Sequence, residues 1–270
     1  MTNVPYNSTN NYVVGLVLYH PEDYILKRLD LMSTLGLHLY IYDNSPFSEI
    51  SEAILKRYGN VYYITAGNNV GLARSLSVLC ATAYAHGHRR LLFLDQDTGV
   101  SDHTFGFINE CSRALTAIEQ DRYAAITFSG KHKEHCAAVD AVFAISSGSL
   151  FTLDILMRIG WHNNNYFVDC VDYEFCLRSM HYGYNIRIVY NTPGFDHVTE
   201  QPDREVCLCG KTLSVRRYAF ARVKESFFSY IRLLGYTARI VRFDLSALVI
   251  RSMLIYLMGQ VVARLTVRSK

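Results

Sequence analysis

Two aspartates one residue apart, Asp95 and Asp97, close the apolar run Leu91-Leu92-Phe93-Leu94, with Gln96 between them and Thr98-Gly99 after them. Four apolar residues running into two carboxylates predict a buried strand with a charged tip, covered on both faces in an α/β sheet. Side chains at i and i+2 of a strand point to the same side, so the two carboxylates face one ligand together. Like charges this close repel. A hard divalent ion such as Mg2+ or Mn2+, itself bridging diphosphate oxygens, is the occupant that relieves the repulsion. Taken alone, D-x-D is more often the pattern of two loop aspartates that cap the following helix.

A second acidic group lies in Tyr166-Phe-Val-Asp169-Cys-Val-Asp172-Tyr-Glu174-Phe-Cys-Leu-Arg178, which reads as a helix stopped at His181-Tyr-Gly183. Asp169 fits the N-cap. Asp172 falls in the first turn, where the positive helix end keeps it ionised and aimed outward, as a general base requires. Glu174 is turned about 200° from Asp172 and faces elsewhere. His197, in Pro193-Gly-Phe-Asp-His197, is a structural histidine or a metal ligand. Only its company with Asp95 and Asp97 favours the second. Asp43, before Asn44-Ser45-Pro46, could accept hydrogen bonds from a base or a ribose. The turn Asn69-Val-Gly71 could bring backbone N–H groups and Arg74 to phosphates. A helix cap and a plain turn are the alternatives at these two places.

The elements that must position these groups alternate. Strands are expected at 12–18, 37–42, 61–65 and 91–94, with helices at 22–34, 49–58, 68–86 and 103–120. Two further strands are expected at 123–128 and 138–145, then the small-residue loop Ser146-Ser-Gly-Ser149, the 169–181 helix and a strand at 185–190. Such alternation implies right-handed crossovers and a mainly parallel sheet. Ligands of such sheets gather beyond the carboxyl ends of the strands. No G-x-G-x-x-G or Walker lysine motif is present, which argues against dinucleotide and ATP chemistry.

Of the 270 residues half are hydrophobic and 20 are tyrosine, as befits a folded chain. Seven cysteines without a repeating spacing point to reduced thiols. Cys207-Leu-Cys209 is too isolated for a zinc site, and the polar segment 1–11 is expected to be a flexible N-terminus without a secretory signal. The Asn7-Ser-Thr9 sequon is then a chance match. The net charge of +3 is uneven: residues 211–270 carry twelve basic and two acidic groups, about +10, leaving about −7 on the remainder. An acidic body speaks against nucleic acid as a partner. Leu245–Val262 is nearly long enough to span a bilayer but contains Arg251. Helices lying on the inner face of the membrane are therefore expected, with arginines toward anionic lipid. A helical hairpin packed on the body or forming a homo-oligomer is the alternative.

In order along the chain, the strand ending in Asp43-Asn-Ser, Asn69-x-Gly71, Leu94-Asp-Gln-Asp97, the block Phe167–Arg178 and the late His197 resemble glycosyltransferase family two. Within it, they are most similar to bacterial rhamnosyltransferases of O-antigen and polysaccharide assembly. The resemblance covers roughly residues 12–235. It implies a GT-A fold, Rossmann-like, with a mixed, mainly parallel sheet flanked by helices over 12–210, followed by a C-terminal helical extension at 211–270. It implies an inverting transfer of a sugar from a nucleoside diphosphate to a glycan acceptor, lipid-linked in that family, on the cytoplasmic side of the membrane. By the same resemblance Asp172 is the base, Asp43, Asn69, Gly71 and Arg74 bind the donor with Asp95 and Asp97, and Mg2+ or Mn2+ is held by Asp95, Asp97 and His197. dTDP-L-rhamnose is the favoured donor. A UDP-sugar, galactofuranose or a hexose, is the second candidate, and a non-catalytic nucleotide-sugar or glycan binder on the same fold is the rival. Ser77 stands where the family often has Asn, and Phe175 where Trp is common.

Overall fold

The structure, a computed structural model, describes residues 11–47, 50–115, 121–135, 137–197, 204–208 and 211–266. The expected flexible segment, up to residue 10, and Cys209 lie outside them. Strands β1 (Val13–Leu18), β2 (Leu39–Asp43), β3 (Val61–Thr65) and β4 (Arg90–Asp95) pair in parallel in the order β3-β2-β1-β4. Helices α1 (Tyr24–Thr34), α2 (Ile50–Arg57) and α3 (Leu72–Ala85) connect them. Because β1 lies between β2 and β4, successive crossovers leave it in opposite directions. A crevice opens there at the carboxyl ends of the strands, and Asp95 is the last residue of β4.

β4 alternates as a strand buried on both faces must. Leu91 and Phe93 join a core with α3, whereas Leu92 and Leu94 join one on the opposite face with α1 and with α4 (Asp102–Ala114). Helix α4 starts with a capping box between Ser101 and Thr104. β5 (Thr98–Gly99) turns back from the tip. β6 (Tyr123–Phe128) is wholly buried, and β7 (Ala138–Ala141) forms the sheet edge beyond β9 (Asn185–Val189).

Several elements depart from the sequence expectation. The strand expected at 138–145 ends at Ala141, and Ser149, expected in a loop, opens β8 (Ser149–Thr152). β8 runs antiparallel between β4 and β6, making the sheet mixed. Directly after it comes α5 (Leu153–Ile159), a short helix that was not foreseen. β8 escaped notice because it has four residues and follows three small ones, so no apolar alternation develops.

Helix α6 (Val171–His181) precedes β9. β10 (Asp196–His197) then pairs with β5, His197 opposite Thr98. The extension expected to be helical from 211 is corrected at its start: Lys211–Val215 is a strand, β12, paired antiparallel with β11 (Arg204–Leu208), and only then follow two long helices, α7 (Phe220–Arg239) and α8 (Phe243–Thr266). These fold back on one another. Ser252 Oγ bonds the Tyr230 hydroxyl at 3.1 Å, and Gln260 bridges to the backbone of Arg216 and Tyr218. Tyr230, Leu233, Leu245 and Val249 enter the same core as α3 and α6. The hairpin is thus packed on the body along one face.

Candidate active site

At the end of β4 the tip is clamped from three directions. The Gln96 side chain accepts from Tyr19 N at 2.8 Å and donates to Tyr19 O at 3.1 Å, fixing the tip to the end of β1. Arg28 Nη1, from α1, donates to the Gln96 carbonyl. Asp95 N donates to Ser147 Oγ at 3.0 Å, and Ser147 Oγ shares a proton with Thr98 Oγ at 2.6 Å. The loop before β8 therefore contributes hydroxyls. A side chain at Gly148 would collide with Phe195 and the Phe128 carbonyl, which is why the loop can pass so close.

The neighbouring hydroxyl of that loop, Ser146 Oγ, donates to Asp172 Oδ1. Residues 146 and 147 thus tie Asp172 on α6 to Asp95 on β4. Burial, then the charges of Asp97 and Asp172, push the Asp95 carboxyl up to about 7, while Arg28 and the Ser147 hydrogen bond pull it down. Asp172 is pushed up to about 6, chiefly by burial, against the pull of Ser146. Asp172 is therefore inside a dense cleft rather than aimed outward into water. Its raised proton affinity comes from burial, which outweighs the helix end.

The acids around Asp172 are otherwise engaged. The expectation that Asp169 caps α6 is corrected: the N-cap is Cys170, in the left-handed region at φ 66°, with no side-chain cap. Asp169 instead accepts from Ser226 Oγ and lies 3.5 Å from Arg222 Nε, because α7 packs across the start of α6 and offers donors there. Arg222 also covers the Tyr218 ring at 4.2 Å. Glu174 is 2% exposed and paired with Arg178 at 2.7 Å, while Arg178 also donates to the carbonyls of Ile159, Gly160 and Trp161. Glu174 faces away from the cleft, as helical spacing requires.

Beside the cleft lie the other expected residues. Asp43 is fully buried, with Oδ1 accepting from Ser45 N at 2.8 Å and Oδ2 from the Tyr63 hydroxyl at 2.5 Å. Asn69 Oδ1 accepts from Gly71 N at 2.9 Å, and Asn44 Oδ1 from Val70 N at 3.2 Å, so the two loops brace each other. Gly71 is the N-cap of α3 at φ 84°, and a Cβ there would lie 2.6 Å from the Phe167 carbonyl and ring. Arg74 is exposed on α3, within charge range of Tyr42. Ser77 points away from the cleft, donating to the His162 carbonyl at 2.6 Å, and Phe175 stacks on His162 at 5.0 Å.

Mutually repelling oxygen donors at the tip, one with its proton affinity raised, suit a hard divalent ion that keeps ligand oxygens and water in its other positions. Asp95 and Asp97 are the residues that would hold it. Among the described residues no cluster of three or more His, Cys, Asp or Glu side chains is arranged for a metal. The His197 backbone is placed beside the tip through its pairing with Thr98, and its side chain lies outside the described atoms. Sequence reasoning missed Arg28 altogether, since one Arg on an ordinary amphipathic helix carries no motif. It noticed the 146–149 loop for its small size rather than for its hydroxyls.

No protein-family model matches the chain. It is 25% identical over 249 residues to the dTDP-rhamnosyl transferase RfbF of Shigella flexneri, covering 82% of this chain and 79% of that one. In structure it is similar to S. aureus TarS, with TM-score 0.53 and 13% identity over 71% of this chain and 37% of that one. TarS residues 1–349 in complex with UDP-GlcNAc match with TM-score 0.54 and 12% identity, over 83% and 65% of the two chains. GalNAc-T7 with UDP, GalNAc and Mn2+ matches with TM-score 0.52 and 10% identity, over 67% and 42%. The chain thus spans between about a third and two thirds of the solved structures it matches. The fold is that of GT-A glycosyltransferases, and the sequence is rhamnosyltransferase-like.

Proposed function

We propose that this chain is an inverting glycosyltransferase that moves L-rhamnose from dTDP-L-rhamnose to a hydroxyl of a lipid-linked bacterial glycan. The observation that carries the proposal is the meeting of the β4 tip, with Asp95 and Asp97, and Asp172 of α6 at one crevice, joined through the adjacent Ser147 and Ser146. The sequence likeness to RfbF supports the donor, and the TarS complex with UDP-GlcNAc keeps a UDP-sugar as the second candidate.

In this mechanism the acceptor hydroxyl enters beside Asp172. As its oxygen bonds to the anomeric carbon, the bond from that carbon to the diphosphate oxygen breaks, the electron pair leaving with the diphosphate. The hydroxyl proton passes to Asp172, whose raised proton affinity suits a base working near neutral pH. Ser146 holds the carboxylate by one oxygen and leaves the other to receive the proton. Asp95 and Asp97, together with His197, would hold a divalent ion, and that ion would supply Lewis-acid stabilisation to the departing diphosphate. Asn69, Gly71 and Arg74 border the nucleotide, and Asp43 shapes that wall by bracing Ser45 and Tyr63.

The acceptor's lipid would lie along α8. Phe243–Leu265 is long and apolar enough to cross a membrane, with mean hydropathy 1.7, yet only 17% of its apolar window is buried. A groove of about 220 Å³ lined by Phe143, Tyr173, Leu248, Arg251 and Ile255 opens from that helix next to α6. Residues 12–210 would form the catalytic unit and the helices of 211–270 its seat on the inner face of the cytoplasmic membrane. Turnover of a nucleotide-sugar panel by purified protein tests the proposal. Slow hydrolysis of dTDP-L-rhamnose, lost on Asp172→Asn, is expected, and a panel in which no nucleotide sugar is hydrolysed or raises the melting temperature would overturn it.

A further inference from the structure

The crevice contains a cation that the chemistry above leaves idle. Arg28 stands in the second turn of α1 and donates through Nη1 to the carbonyl of Gln96, the residue between the two tip carboxylates. Its Nη2 is buried and has no hydrogen-bond partner. Asp97 and Asp95 both act on the guanidinium through their charge, and Tyr24 stands beside it, yet none of them accepts from Nη2. A buried, charged N–H donor left unpaired is destabilising, and it persists in a fold chiefly where a ligand completes it. The guanidinium fork is rigid, so anchoring Nη1 on the Gln96 carbonyl also fixes the direction of Nη2.

We propose that Arg28 is a diphosphate-positioning residue, with Nη2 donating to a phosphate oxygen of the bound donor. The inference rests on the nucleotide-sugar reading of the crevice. Its basis is the order of charges. The charges of Asp97 and Asp172 both act on Asp95 here, so an anionic donor needs fixed positive charge as well as a divalent ion. Arg28 supplies it from the β1 side, opposite Asp172 on α6. A planar donor fork matches phosphate oxygens in a way a neutral side chain does not. Charge growing on the diphosphate as it departs would strengthen the same bond.

A purely structural role, bracing the tip through Gln96, makes a different prediction. Arg28→Gln keeps an N–H donor for the Gln96 carbonyl and removes the charge, whereas Arg28→Lys keeps the charge and loses the fork. Affinity for dTDP is measured by calorimetry, with and without MnCl2, and for thymidine by ligand-observed NMR, on full-length protein whose melting temperature is also recorded. Arg28→Gln should weaken dTDP roughly 10- to 100-fold and leave thymidine within about twofold, and Arg28→Lys should recover part of the loss. Equal weakening of dTDP and thymidine, or unchanged dTDP affinity, would overturn the assignment of Arg28 alone. Wild-type protein that binds neither dTDP nor UDP would overturn the nucleotide-sugar reading and this assignment with it.

Discussion

Asp172 combines two properties that pull in opposite directions, the proposed role of a base and an environment that disfavours its charge. Its carboxyl titrates near 6 because burial outweighs the Ser146 hydrogen bond. A folded carboxyl raised above its unfolded value gives stability below the unfolded value that is lost as pH rises through about 6. At neutral pH the charged group therefore lowers stability. Asp172→Asn should leave dTDP affinity nearly intact and lower kcat by about 10² to 10⁴. The same change should raise stability by on the order of 1 to 3 kcal/mol at pH 7. Steady-state kinetics and urea unfolding check the two halves. Wild-type kcat should fall with acid below about pH 6, as the base takes up its proton.

His162 makes a contrasting case. It is buried, stacked on Phe175, with both ring nitrogens unpartnered, and burial holds its proton affinity down to about 3. A folded histidine depressed below its unfolded value contributes no loss above about pH 6.5. As pH falls from there toward 3, the unfolded chain takes up the proton and stability drops, by up to about 1.4 kcal/mol per pH unit. His162→Phe fills the same stack without polar atoms. It should flatten this slope and be neutral or stabilising at pH 7, read from melting temperatures at pH 5 and 7.

At the scale of elements, the start of α6 is held by neighbours rather than by its own cap. Phe167 O accepts from Leu72 N at 2.6 Å, joining the segment before α6 to the head of α3. Asp169, with Ser226 and Arg222, joins it to α7. Asp169→Asn removes the charge from that junction and should destabilise by about 1 to 2 kcal/mol, with kcat falling less than for Asp172→Asn. Chemical unfolding and kinetics of the two variants together separate the roles. Gly71→Ala strikes the other side of the junction. At φ 84°, with Phe167 at 2.6 Å from the new Cβ, it should cost about 1 to 3 kcal/mol and weaken dTDP binding, as thermal shift with and without nucleotide would show.

At the scale of the whole molecule, the sheet and the α7–α8 hairpin share a core but present different surfaces. On α8, Ile250, Leu254, Met258, Val261 and Leu265 form an exposed stripe at helical spacing, while Leu245 and Val249 are buried against the body. A stripe of this kind on a strongly basic segment fits an anionic lipid surface, and the like charge of a second copy disfavours self-association. Full-length protein should float with anionic liposomes, more weakly with neutral ones and in high salt. Leu254→Glu with Met258→Glu should abolish flotation without lowering the melting temperature. Failure of the wild type to bind anionic vesicles would exclude the membrane seat.

What the sequence determined by itself is what local pattern encodes. The apolar runs of β1 to β4 and the carboxylate pair at 95 and 97 are legible because burial on both faces writes itself as continuous hydrophobicity and because i and i+2 must share a side. The order of motifs was enough for the fold and for the rhamnosyltransferase-like character. Only the tertiary structure decided matters that depend on residues distant in the chain. It made Ser147 the partner of Asp95, 52 positions away, and placed Arg28 against Gln96, 68 positions away. It moved Asp169 from a cap to a tether, since donors on α7, 57 positions later, compete for it with the local backbone N–H groups. It also raised the proton affinity of Asp172, because desolvation comes from whatever packs around a group and not from its place in a helix.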